Sequence, residues 1–182
     1  MKASFFPFVA IIVLAACQKD RIEVRRTPKE ELPASAMPVA PRARGVKWTT
    51  PPGWKELPGN GMRLATLEPP QKAGKIEATV VALPGDVGGE LANVNRWRGQ
   101  LALTPVGEAQ LGDLRATVRS AAGETLVYDF TGAGSKKTRL LAGMIQVSGT
   151  TWFFKLMGDE AAVEAAKPAF LKLLAGLKRD AA

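Results

Sequence analysis

The sequence predicts an α+β domain: an antiparallel sheet of about six strands flanked by helices, with a signal segment and a proline-rich tether ahead of it. Three observations carry this expectation. Residues 114–120 alternate Leu114, Ala116 and Val118 with Arg115, Thr117 and Arg119, the period of a strand with one buried and one wet face. Short glycine and serine turns separate the last three apolar runs, so these should form a meander. Two other stretches have the length and period of helices.

Taken in order, the chain opens with Lys2 and an unbroken apolar run, Phe5 to Ala16, ending in the small residues Ala15 and Ala16 just before Cys17. A basic start, a short apolar run and small residues at the cleavage point predict a secretion signal over 1–16, too short to span a bilayer as a helix. Residues 17–45 alternate charge, carry Pro28, Pro33, Pro38 and Pro41, and show no apolar period, the composition of an extended tether. Its Arg21, Arg25 and Arg26 could touch anionic headgroups. The folded domain is expected over 46–182.

Within it, Pro51-Pro52-Gly53-Trp54 reads as a rigid turn carrying a tryptophan to the sheet edge. Strands are expected at 62–68, 76–83, 114–120, 126–131, 137–147 and 150–157, the last two being the most apolar and therefore the most central. The first helix should run from Gly89 to about Leu103, with Leu91, Val94 and Leu101 facing the sheet and Pro105 beyond its end. A second, capped by Asp159, spaces Val163, Ala166, Phe170, Leu174 and Leu177 along one side, with Pro168 kinking it or restarting a turn.

Composition narrows the chemistry. The chain has 182 residues, 46% hydrophobic, enough for one domain with a real core. Its formal charge is +8, reduced by one when Lys2 leaves with the signal, so anionic partners are attracted without being identified. There is no histidine and one cysteine. Serine–histidine and cysteine–histidine catalysis therefore lack their base, no internal disulfide can form, and no metal site or cofactor is expected. The run Gly132-Ala133-Gly134-Ser135-Lys136-Lys137 lacks the spacing of a phosphate loop and precedes a strand, so a hairpin turn accounts for it. The scattered carboxylates reveal no pair in sequence, and an enzyme is not expected.

The densest polar and aromatic segment lies on the first helix. At 100° per residue Asn93, Arg96 and Gln100 share a stripe bordered by Trp97, with Arg98 nearer the apolar side. These five are the candidate binding residues: amide and guanidinium groups for a carboxylate, phosphate or sugar, and an indole face for stacking. The competing reading gives Asn93, Arg96 and Gln100 to loop hydrogen bonds, Trp97 to the core and Arg98 to an acid or to snorkelling.

Leu14-Ala15-Ala16-Cys17 resembles the lipobox of bacterial lipoproteins. The resemblance implies lipid attachment at Cys17, cleavage before it and a membrane-anchored envelope protein, with Gln18 after the cysteine favouring the outer membrane, facing the periplasm. The segments Leu83-Pro84-Gly85-Asp86, Tyr128-Asp129-Phe130-Thr131-Gly132 and Trp152 to Asp159, with the helix segment, resemble bacterial lipoproteins over most of the folded part. The strand order and closing helix resemble the PsbP-like fold, whose members are mostly non-enzymatic assembly factors; no PsbP metal or photosystem contact residue can be placed on this sequence. The resemblance implies an accessory role beside an envelope protein partner. The alternative is a periplasmic binder of an acidic small ligand, glycan or other polyanion; nucleic acid is not expected.

Overall fold

The computed structural model describes residues 45–135 and 137–180, all within one unit, Pro38–Ala182. The expected signal segment 1–16, the lipid attachment at Cys17 and the tether up to residue 44 lie outside the described residues. Seven strands form one sheet: β2 (Lys55–Pro58), β3 (Arg63–Glu68), β4 (Ile76–Pro84), β5 (Arg115–Ser120), β6 (Gly123–Thr131), β7 (Thr138–Val147) and β8 (Thr150–Asp159). Their order is β2-β3-β4-β8-β7-β6-β5, every neighbour antiparallel. The shortest strands, β1 (Val46–Lys47) and β9 (Lys178–Arg179), pair with each other where the domain begins and ends.

The α+β expectation therefore holds, with one more strand in the sheet than expected. The addition, β2, reads Lys-Glu-Leu-Pro and has no apolar alternation; its place as an edge strand comes from pairing with β3. The meander of β6, β7 and β8 is as expected, and β8 occupies the middle of the sheet. Gly132 donates to the Thr138 carbonyl at 2.8 Å, closing the hairpin before β7. The other edge, β5, is wetter than its alternation predicts: Ala116 is exposed and Val118 only half-buried. Leu114 belongs to a four-residue helix, α2 (Leu111–Leu114), which feeds that edge.

Strand alternation gives each sheet face its own cover. On one face α3 (Glu160–Ala175) lays Val163, Phe170, Leu173 and Leu174 against Ala78, Val80, Leu141, Phe154 and Leu156. Each such buried side chain contributes about 1.5–3 kcal/mol of transfer free energy. The helix can come this close because β7 carries Gly143, where a Cβ would stand 3.0 Å from the Leu174 side chain. Asp129, Arg139, Glu164 and Lys167 bind α3 to β6 and β7. Arg139 grips Asp129 with two bonds of 2.6 and 2.7 Å and also bonds Glu164, while Lys167 reaches Asp129 at 2.8 Å. Pro168 lies inside α3, which continues through it.

The second face is covered by α1 (Gly89–Gln100), the connection from β4 across β8, β7 and β6 to β5. Val94, Trp97 and Leu101 meet Tyr128, Phe130, Leu140 and Ala142 there. The helix ends three residues before the expected Leu103. Ala102 takes a left-handed conformation, φ +55°, and the Leu103 and Ala102 amides bond back to the Arg98 and Gly99 carbonyls. This is a Schellman ending with alanine where glycine is usual.

Candidate functional site

The five residues singled out on α1 have different surroundings. Asn93 is buried; its amide nitrogen donates to the Val87 and Gly89 carbonyls, both at 2.7 Å, and its oxygen accepts from Arg96 at 3.1 Å. It thereby closes the entry to the helix, where Gly88 and Gly89 have positive φ. Trp97 is buried in the second core, edge-on to Phe153 at 6.3 Å and tilted against Tyr128 at 5.8 Å. Arg98 donates to the Thr104 carbonyl at 2.8 Å and stands 5.3 Å from the centre of the Phe130 ring. Arg96 and Gln100 are exposed. Beside them Asn95, which the stripe omits, exchanges two hydrogen bonds with Val106 and holds the loop after the helix.

Gln100 leads to the more open site. Because α1 crosses only the β6–β8 side, no helix among the described residues covers the second face of β2, β3 and β4. Cross-strand register fixes what lies there. Leu57, Thr66, Thr79 and Lys155 form one row across β2, β3, β4 and β8, and Glu77 with Met157 belongs to the next. The Lys155 ammonium reaches the Gln100 side-chain oxygen at 3.4 Å, and among the described residues no carboxylate lies within 4.0 Å of it. Burial pushes its pKa below the ordinary lysine value; nearby Arg63 pushes it the same way, against the opposing pull of Glu77. Arg63 itself bonds Glu77 at 3.2 Å.

Along the same face, toward the ends of β2–β4, a cleft of about 630 Å³ is lined by Lys55, Glu68, Gln71, Lys75, Glu77 and Met157 among others. Gln71 shapes its floor, bonding Ile76 through both side-chain atoms and the Pro69 carbonyl through its nitrogen. The face thus offers ammonium and guanidinium groups, hydroxyls and an apolar thioether, enough to hold a polar ligand of modest size. Among the described residues no three metal-ligating side chains cluster, and no helix is long and apolar enough to cross a membrane.

Beneath α1, the fully buried Tyr128 hydroxyl donates to Glu90, which also accepts from Arg115 at 3.2 Å. Burial, and then the Glu90 carboxylate, push the phenol above its ordinary value, so it remains a hydrogen-bond donor throughout the physiological range. The chain of contacts fixes α1 over β6 and β5, and with it the position of Gln100. Sequence reasoning passed over Lys155, although a lone lysine amid Trp152-Phe153-Phe154 and Leu156-Met157 was a readable signal. Arg63, Thr66, Thr79 and Glu77 were not findable as a group, because strand register brings them together.

No protein-family model and no curated protein matches the sequence. Several solved structures are similar. The solution structure of cyanobacterial PsbP (CyanoP) from Synechocystis sp. is 12% identical with a TM-score of 0.46, covering 80% of this chain and 97% of that one. LpqN, described as involved in cell envelope biogenesis of Mycobacterium tuberculosis, is 16% identical with a TM-score of 0.43, covering 73% and 82%. A Bacteroides thetaiotaomicron protein is 10% identical with a TM-score of 0.47; 74% of this chain is covered, and the chain spans 44% of that protein.

Proposed function

We propose that the chain is a lipid-anchored protein of the bacterial envelope whose domain holds another envelope component without transforming it. The anchor rests on the lipobox resemblance at Leu14-Ala15-Ala16-Cys17, and Gln18 after the cysteine favours the outer membrane. The holding role rests on one observation above others: among the described residues α1 covers one half of the second sheet face and no helix covers the other, which bears a cleft of about 630 Å³ and the half-buried Lys155. A non-catalytic role is supported by a chain that has no histidine.

The test is purification of the full chain from its native envelope in mild detergent, with mass spectrometry of whatever accompanies it. Thr66→Arg places a long cation in the middle of the uncovered face, while Arg96→Ala alters the exposed side of α1. Both variants are first checked by thermal melting. A companion lost with Thr66→Arg and retained with Arg96→Ala supports the uncovered face as the holding surface. The reverse pattern moves the role to the α1 stripe of Asn93, Arg96 and Gln100, and retention with both variants removes it from either surface.

A further inference from the structure

Lys155 sits half-buried on β8 between Phe153 and Met157 of its own face, and its sequence neighbours, Phe154 and Leu156, are almost wholly buried on the opposite face. A cation on the central strand of a sheet is costly unless something answers its charge. Within the fold little does. The ammonium has one weak neutral contact, Gln100 at 3.4 Å, and the nearby carboxylate, Glu77, is engaged by Arg63 at 3.2 Å. The same row adds the hydroxyl-bearing Thr66 and Thr79 on the neighbouring strands. A methionine or leucine would fill this position more cheaply, so the charge points to a counter-charge from outside.

We infer that Lys155 is the centre of an oxyanion subsite that takes the carboxylate or phosphate of a small free ligand, whose body extends past Met157 into the adjoining cleft. Lys155 supplies the charge, the Arg63–Glu77 pair beside it largely cancels itself, and the Gln100 amide can turn its nitrogen toward the bound oxygen. Met157 lies two residues along the same face of β8 and lines the cleft, so a ligand spanning both would need to bridge about 7 Å. A free ligand is favoured over a membrane headgroup because Lys155 is half-buried on the middle strand, where a flat lipid surface would meet the sheet edges first. This inference rests on the uncovered face being the holding surface and names the chemistry it recognises.

The experiment follows the Lys155 side-chain signals of the full chain, ¹³C,¹⁵N-lysine labelled in nonionic detergent, during titration with inorganic phosphate, with acetate and with phosphatidylglycerol bicelles. Saturable shifts at Lys155 with phosphate or acetate are expected, with its titration midpoint moving upward as the anion binds. Lys155→Gln should weaken binding by about tenfold or more, reported through the Gln100 side-chain amide, and Lys155→Arg should retain most of it. A Lys155 that responds to neither free anion overturns the inference, as does a response to bicelles alone. If Thr66→Arg still releases the envelope companion in that case, the holding role stands and only the anion chemistry falls; if it does not, both fall.

Discussion

Replacing Lys155 by methionine should make the protein more stable. The ammonium is half-buried with a single 3.4 Å contact to a neutral amide. Full burial of an ion costs several kcal/mol, and the part of the side chain still in water reduces this to about 1 kcal/mol. Methionine matches the aliphatic stem, adds no charge and extends the apolar surface offered by Phe153 and Met157. Urea unfolding near neutral pH should therefore show Lys155→Met more stable by about 1 kcal/mol, a rise in Tm of roughly 2–6 °C. The pH dependence gives a second handle. The folded-state pKa lies below the ordinary lysine value, so the unfolded chain binds more protons between the two. Wild-type stability accordingly rises relative to the variant as pH climbs from the folded value toward 10.5, and the gap narrows. A variant less stable than wild type by more than about 0.5 kcal/mol would refute the reasoning, since the fold itself would then satisfy the charge.

Three further changes test other parts of the structure. Ala102→Gly should stabilise by about 0.5–1 kcal/mol in chemical unfolding, because glycine accepts the left-handed φ of +55° with less strain than alanine and this gain exceeds its extra chain entropy. Asp129→Asn should destabilise by about 2 kcal/mol, less than for a fully buried pair because Arg139 keeps Glu164. Burial raises the Asp129 pKa, but bonds from Arg139 and Lys167 outweigh it and hold the carboxyl below its ordinary value. Its contribution is therefore present above pH 3.8 and is lost as pH falls through the folded value, so acid titration of stability should be shallower in the variant. Trp97→Ala should cost about 3–5 kcal/mol, whereas Arg96→Ala should cost about 1 kcal/mol, because it takes the donor from the buried Asn93 oxygen, as measured by the same unfolding curves.

Periodicity located the elements whose stability is set by burial. The strands that became β4, β6, β7 and β8 are long and apolar, and α3 buries Val163, Phe170 and Leu174 as expected, with Ala166 half-buried, Leu177 buried just past its end, and Ala162 and Leu173 added. The signal failed where pairing or backbone geometry decides. Lys-Glu-Leu-Pro becomes a strand because β3 offers it an edge, and α1 stops at Gln100 because Ala102 turns left-handed, which nothing in Leu-Ala-Leu announces. The site divides in the same way. The α1 stripe was visible as polar residues at helical spacing, yet Trp97 lies in the core and Asn93 is used by the helix entry. The row of Leu57, Thr66, Thr79 and Lys155 depends on the register of four strands, information that no single segment holds.

The position of β8 also has a consequence for how the chain is made. Strands β2 to β4 form one antiparallel group and β5 to β7 another, and β8 joins them as the last strand of the sheet to be synthesised. Until residues 150–159 are present, β4 and β7 each expose an unpaired edge, and the two groups have no ladder between them. The hairpin of β8 with β7 is local, but the pairing of β4 with β8 spans a large sequence separation, and such pairings form late and slowly. The sheet therefore cannot lock into one piece before residues 150–159 have been made. Arrival of β8 completes the sheet, and α3, which follows it directly, covers the first core at once.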